Sequence, residues 1–170
     1  FLNDFKFTVN GAVGTSSRLG HSASIYYPEK TEVGSSTKTV SFETTWTFNQ
    51  LLSYTKNFGN HHVDVLLGHE SYDYEYNYLK GSMQNQTIHN GNFEFSNYSV
   101  PDEQDSYTNT YKTEGFLARA NYDYNSRYFL SASVRRDGSS RFYKDSRWGT
   151  FFSVGAGWRI DEERFMEDLD

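Results

Sequence analysis

The chain has 170 residues, the length of one domain, and carries 16 Lys plus Arg against 22 Asp plus Glu for a formal charge of −6, the wrong sign for a protein that tracks nucleic-acid phosphates. Aromatic residues make up 18% of it and proline occurs twice, which excludes a disordered or collagen-like chain. With no cysteine there is no disulfide framework, thiolate zinc site or cysteine nucleophile; no run of about 18 apolar residues marks a transmembrane helix, but a membrane-spanning strand needs only about 10 residues with one apolar face.

In chain order, period-2 alternation dominates and helical spacing is almost absent. The first strand is expected near 3–14, with Phe5, Phe7, Val9 and Val13 on one face. After a long link at 15–37, a second strand at 38–55 places Val40, Phe42, Thr44, Trp46, Phe48, Leu52 and Tyr54 on one side, interrupted by Gln50. A tight link near 56–61 leads to a strand at 62–78, with Val63, Val65 and Leu67 aligned and a tyrosine-rich end, Tyr72 to Tyr78. A second long link at 79–111 precedes strands at 112–124 (Phe116, Ala118, Ala120, Tyr122) and 127–136 (Leu130, Ala132, Val134). A third long link, 137–148, leads to a last strand at 149–160, with Phe152, Val154, Ala156, Trp158 and Ile160 on one face. Short links join only antiparallel neighbours, so the expected fold is all-β, an antiparallel up-and-down meander of about six strands with tight and long links at opposite ends. A three-residue loop at Tyr124-Asn125-Ser126 would pair Asp123 with Arg127, Tyr122 with Tyr128, Ala120 with Leu130, Ala118 with Ala132, Phe116 with Val134 and Glu114 with Arg136. The chain opens on Phe1-Leu2-Asn3 and stops at Asp168-Leu169-Asp170, and reads as an excerpt of something longer.

Either a second sheet, as in a soluble carbohydrate-binding or adhesin-like β-sandwich, or membrane lipid, as in an outer-membrane barrel, could cover such an apolar face, and periodicity alone leaves both open. Three features favour lipid. Tyr54, Phe58, Tyr122, Tyr124, Tyr128, Trp158 and Phe165 gather at the tight-link end as an aromatic belt; all three long links lie at the other end; and the small residues Ala118, Ala120, Ala132 and Ala156 sit mid-face.

The stretch from Asn121 to Phe142, centred on Arg135-Arg136-Asp137-Gly138-Ser139-Ser140-Arg141-Phe142, closely resembles a signature of the SusC/RagA family of TonB-dependent outer-membrane transporters. Arg147-Trp148-Gly149-Thr150-Phe151, then Ser153-Val154 and Gly157-Trp158-Arg159-Ile160, resembles the family's next strand, with Phe152 standing where many relatives carry Pro. Asp64 to Glu70 has the same flavour, and the rest of residues 1–115 resembles the family in pattern alone. The resemblance implies that residues 1–170 are a middle portion of the wall of a 22-stranded transmembrane barrel in the bacterial outer membrane, without the family's N-terminal plug and TonB-contacting segment. It implies active import of glycan fragments or peptides, a SusD-like surface lipoprotein as partner, energy delivered by TonB, and neither cofactor nor catalysis.

The candidate sites read mostly as structure. His61-His62 and His69-Glu70 are strand neighbours that point to opposite faces, so neither pair can chelate one ion. Asp137-Gly138-Ser139-Ser140 lacks the lysine and following helix of a phosphate-binding loop. Arg135, Arg136, Asp137, Arg141, Asp145 and Arg147 are expected to anchor a loop as an ion network. Asp102, Glu103 and Asp105 form an acidic run in the longest link, not a pair of acids held across a cleft. Asn85-Gln86-Thr87 and Asn97-Tyr98-Ser99 match the short glycosylation triplet, which a bacterial family makes irrelevant. The loop aromatics Tyr26, Tyr27, Phe93, Phe95, Tyr98 and Tyr107 are the candidates for contact with a sugar or a partner lipoprotein, with packing within the loops as the competing account.

Overall fold

A computed structural model describes residues 4–30 and 33–166. The terminal tripeptides that suggest an excerpt lie outside them, as do positions 31–32 of the first long link. Six strands form one sheet in the order β1-β2-β3-β4-β5-β6: β1 Phe5–Ser24, β2 Ser35–Phe58, β3 His61–Gln86, β4 Tyr98–Tyr124, β5 Tyr128–Ser139 and β6 Trp148–Trp158. Single-turn 3-10 segments occupy Pro28–Lys30, Phe95–Asn97, Lys144–Ser146 and Ile160–Glu162.

The first four strands reach well past the expected ends. Thr15 to Ser24, Leu79 to Gln86 and Tyr98 to Tyr111, all expected in links, are strand. Their Ser, Thr, Asn and Asp residues leave no apolar row to mark a period of two, yet ladder hydrogen bonds need only backbone. Pro101 lies in the part of β4 that β5 does not reach, since β5 pairs with that strand only from Thr113, and proline within sheets is confined to such edges.

The β4–β5 register differs from the expected one by two residues. Tyr124 faces Tyr128, Tyr122 faces Leu130, Ala120 faces Ala132, Ala118 faces Val134 and Phe116 faces Arg136. The loop is therefore Asn125-Ser126-Arg127, with Asn125 and Ser126 at φ of 56° and 53° and the Arg127 N–H donating to the Tyr124 carbonyl at 3.0 Å. A slip of two keeps every side chain on its own face, so Ala118, Ala120 and Tyr122 still meet apolar partners, but Phe116 now faces Arg136 and the expected Asp123–Arg127 and Glu114–Arg136 pairs are lost.

The chain divides into two compact units. The first comprises Phe1–Ala12, Trp46–Asp73 and Tyr111–Asp170. Its apolar face has no second sheet over it among the described residues: Phe152 is 83% exposed, Val154 75% and Leu130 51%. At its tight-link end a row of rings crosses the strands. Phe5 lies 4.6 Å from Tyr54, Phe58 stacks on His61 at 5.2 Å, His61 meets Tyr124 at 4.9 Å, and Tyr124, Tyr128, Trp158 and Phe165 follow one another at 6.2, 6.5 and 6.4 Å.

The second unit comprises Val13–Thr45 and Tyr74–Thr110. Its link from β3 to β4 is a folded cap. Asn97, nearly fully buried, donates from Nδ2 to the carbonyls of Ile88 (2.7 Å) and Asn92 (2.8 Å), and its Oδ1 accepts from the Ile88 N–H at 3.0 Å. Ser36 donates to the Phe93 carbonyl at 2.7 Å, and Gln86 to that of Asn92 at 3.1 Å. Gly81 leaves room for the Phe95 ring, which would stand 3.0 Å from a β-carbon there. The buried polar side chains among the described residues, Ser36, Ser82, Gln86 and Asn97, all belong to this unit, as does its buried aromatic, Tyr98.

Candidate functional site

In the first unit, Arg135 on β5 lies on the side of the sheet opposite the apolar row. Its Nε donates to both oxygens of Asp137 at 2.8 and 2.9 Å, and its Nη2 reaches Glu70 of β3 at 2.7 Å. Two strand spacings, about 9.6 Å, separate β5 from β3. The guanidinium bridges them because β4 presents Gly115 in between, where a β-carbon would lie 2.6 Å from Asp137 Oδ1 and 3.1 Å from Arg135 Nη2. A depression of about 630 Å³ opens beside this bridge, lined by Asn49, Glu70, Tyr72, Arg135, Asp137 and Phe142, among others. The pairs are partly solvated, so they position the strands more than they stabilise them.

The rest of the signature ties β4, β5 and β6 together at the long-link end. The Ser139 N–H donates to the Arg147 carbonyl (3.0 Å), the Ser140 N–H to that of Lys112 (2.9 Å), and the Lys112 N–H to Ser140 Oγ (2.8 Å). Arg141 lies over the Tyr111 ring at 4.1 Å and Arg147 donates to the Phe142 carbonyl at 3.1 Å. Arg136 points to the apolar side, over the Trp148 ring at 5.3 Å. Asp145 sits in the turn Lys144–Ser146. The expected six-residue ion network is thus narrower: Arg135 and Asp137 pair ionically, joined by Glu70, while Arg136 and Arg141 use aromatic rings and Arg147 a carbonyl. Gly149 lies against Phe151, and Gly157 faces Phe129 across the ladder.

At the tight-link end Glu163 is the hub. It accepts from the Tyr128 hydroxyl, from Trp158 Nε1 at 3.1 Å and from Arg127 Nη1 at 3.3 Å. These donors, with the Arg127 charge, hold its carboxyl below the usual glutamate range. Arg159 closes the same end, its N–H on the Arg127 carbonyl and its guanidinium on Asp161 and Glu162.

The histidines do different work from one another. His61 joins the aromatic row and bonds the Tyr122 hydroxyl at 2.6 Å, His62 bonds Asn57, and His69 stacks on Phe116 while its Nε2 meets Glu114 at 3.1 Å. The acidic run lies within β4 and not in a loop: Asp102 accepts from Ser82 and Glu103 pairs with Lys80. Of the candidate contact aromatics, Tyr98 is a correction, 6% exposed with its hydroxyl on the Ser35 carbonyl, because the buried cap needs a ring beneath it. Tyr107 also lies in β4, stacked on Tyr78 at 5.0 Å and near Tyr76 at 6.0 Å. Tyr26 stacks on His89 at 4.3 Å, Tyr27 is exposed, Phe93 is half-buried in the cap and Phe95 takes Lys38 over its ring at 5.7 Å. Sequence reasoning missed Phe5 and His61 in the aromatic row, Glu163 as its hub and Glu70 as the third member of the Arg135 cluster; Tyr128 lies 35 residues from Glu163 and Arg135 65 from Glu70, too far apart for local pattern to report.

No protein-family model matches the chain. It is 32% identical over 127 residues to the TonB-dependent receptor SusC of Bacteroides thetaiotaomicron, a match covering 72% of this chain and 12% of that protein. The chain matches a stretch of the SusC-like TonB-dependent receptors. Over 60 residues, 35% of the chain and 6% of the relative, it is 48% identical to the TonB-dependent receptor P39 of Formosa agariphila. The solved structure of the RagAB peptide transporter superposes with a TM-score of 0.87 over 97% of this chain and 19% of that one, at 20% identity, and the open-open state of the RagAB peptide importer gives 0.85. These likenesses carry the fold: a six-stranded antiparallel meander that matches part of a transporter barrel wall. The chain spans about an eighth of the length of SusC.

Proposed function

We propose that this SusC-like segment is part of the outer-membrane wall of an active importer of glycan fragments or peptides, and that it performs no catalysis itself. One observation carries the reading: an apolar face with no second sheet over it among the described residues, bounded at the tight-link end by the row of rings and at the other by His69, Phe116 and Trp148. Trp158 and Trp148 lie ten residues apart on β6. At about 3.3 Å per residue and a strand tilt of about 40° that separation corresponds to about 25 Å, the height of the apolar band of an outer-membrane barrel. Lipid covers the face that no second sheet covers, the tight links face the periplasm, and the long links face outward.

In the same reading the opposite face, with Arg119, Asn121, Ser131 and the Arg135–Glu70–Asp137 cluster, lines the interior. A SusD-like surface lipoprotein meets the long-link end, and TonB acts through a plug carried elsewhere in the protein. Tyr107, beside Tyr76 and Tyr78, Tyr26 and Tyr27 of the link from β1 to β2, and Phe93 and Phe95 of the cap are the positions for contact with cargo or lipoprotein; aromatic rings stack on sugars and on peptide side chains alike. Fractionation of cells expressing the full-length protein tests the reading: recovery with outer membranes is expected, and recovery in the soluble fraction would overturn it.

A further inference from the structure

The apolar side of the first unit carries, at its long-link rim, a cation that the transport reading does not use. Arg136 stands eight residues above Tyr128 on β5, beyond Leu130, Ala132 and Val134 of the apolar row. Its guanidinium lies over the Trp148 ring, and that indole lies across Gly138, where a β-carbon would approach three of its ring atoms to 2.9 Å. Phe116 closes the platform, its ring 6.1 Å from that of Trp148. The glycine thus seats the tryptophan and the tryptophan seats the arginine. Stacking uses the face of a guanidinium and leaves its in-plane N–H donors free. Among the described residues no carboxylate pairs with Arg136. Glu114, the acid on the same rim, is taken by His69, and Asp73 by Lys112.

A desolvated edge of hydrocarbon below and a pre-positioned fork of donors above fit one kind of ligand: an acyl-chain lipid whose headgroup carries a phosphate. We propose that Arg136, seated on Trp148 and Gly138, binds a phosphate group of an outer-leaflet glycolipid. The inference rests on the reading that lipid covers the apolar face. A planar guanidinium meets phosphate through two parallel hydrogen bonds, which an ammonium cannot reproduce.

The test uses the delipidated full-length receptor in mild detergent, titrated with short-chain lipopolysaccharide and with the same material after phosphatase treatment, binding being read by native mass spectrometry. Hydrogen bonds to a charged group correspond to roughly ten- to hundredfold in affinity. Arg136→Ala is expected to weaken binding of the phosphorylated glycolipid by at least about tenfold, Arg136→Lys by an intermediate factor, and Gly138→Ala to weaken it by unseating the indole. The phosphatase-treated glycolipid should bind the wild type no better than the phosphorylated form binds Arg136→Ala, and inorganic phosphate at millimolar concentration should not compete. Equal binding of the phosphorylated glycolipid by wild type, Arg136→Ala and Arg136→Lys would overturn the proposal, as would equal wild-type binding of the two glycolipid forms or displacement by inorganic phosphate alone. Quenching by brominated lipid, measured as the difference between the wild type and Trp158→Phe, separates the two levels: its absence defeats lipid coverage of the face, whereas quenching with unchanged glycolipid binding defeats only the role of Arg136.

Discussion

Adjacent residues of β5 offer a sharp contrast. Ala132 lies four residues from Tyr128 and four from Arg136, midway up the apolar row, opposite Ala120 on β4 and Val154 on β6. Ser131 faces the other way, exposed, opposite Asn121 and Gly155, with no charged residue facing it on either neighbouring strand. If hydrocarbon covers the first and water wets the second, arginine at position 132 costs about 2–4 kcal/mol, the value for a charge on the lipid face at the bilayer midplane. Arginine at position 131 gives up one long hydrogen bond, Ser131 Oγ to the Gly155 carbonyl at 3.4 Å, and costs under about 1 kcal/mol. The folding equilibrium should therefore shift by about 30- to 700-fold for Ala132→Arg and by less than about fivefold for Ser131→Arg. Folding of the full-length receptor into lipid vesicles across a denaturant series, read by heat-modified mobility, measures both. Equal costs, or a neutral Ala132→Arg, would refute the assignment of hydrocarbon to this face.

Gly68→Val should cost about 1–3 kcal/mol, because its new β-carbon would stand 2.8 Å from Leu117 Cγ and 2.9 Å from Leu51 Cδ2; Leu117→Ala in the same chain should recover most of the loss in the same vesicle assay. Asn97→Ala removes one of two donors from each of the Ile88 and Asn92 carbonyls, which keep the Asn90 N–H and Gln86, and takes the acceptor from the Ile88 N–H; it should loosen the cap by about 1–3 kcal/mol, seen as faster protease cleavage within residues 87–97 and nowhere in β5 or β6. Glu163 has its pKa lowered by the Tyr128 and Trp158 hydrogen bonds and the Arg127 charge, so the stability it contributes is present above the unfolded glutamate pKa, about 4.3, and is lost as pH falls through its lower folded value. Amide exchange at residues 160–166, corrected for its intrinsic pH dependence, should be faster in Glu163→Gln than in wild type at neutral pH, with the difference vanishing in acid; a constant difference would count against the carboxylate as the hub.

Much of this architecture was legible in the chain. Which residues share a face, which links are tight, and that neighbouring strands run antiparallel all follow from local pattern: side chains alternate with a period of two, and a two- or three-residue link has room only to turn back. His61 and His62 were separable by parity alone, because strand neighbours point to opposite faces. The tertiary structure decided what parity cannot. Sliding β5 by two residues leaves the same apolar side chains on the same face, so the choice between Ala118 meeting Ala132 and Ala118 meeting Val134 fell to the backbone of Asn125 and Ser126, held at positive φ in the turn. The lengths of β1, β3 and β4 were likewise hidden, because backbone ladders run on through serine and asparagine where no greasy row reports them. Arg135 finds Glu70 only because the fold lays Gly115 between them, and Arg136 is seated only because Trp148 comes to rest on Gly138. A sequence states the order of its own neighbours; which residues meet across strands is set by register and by the gaps that glycine leaves.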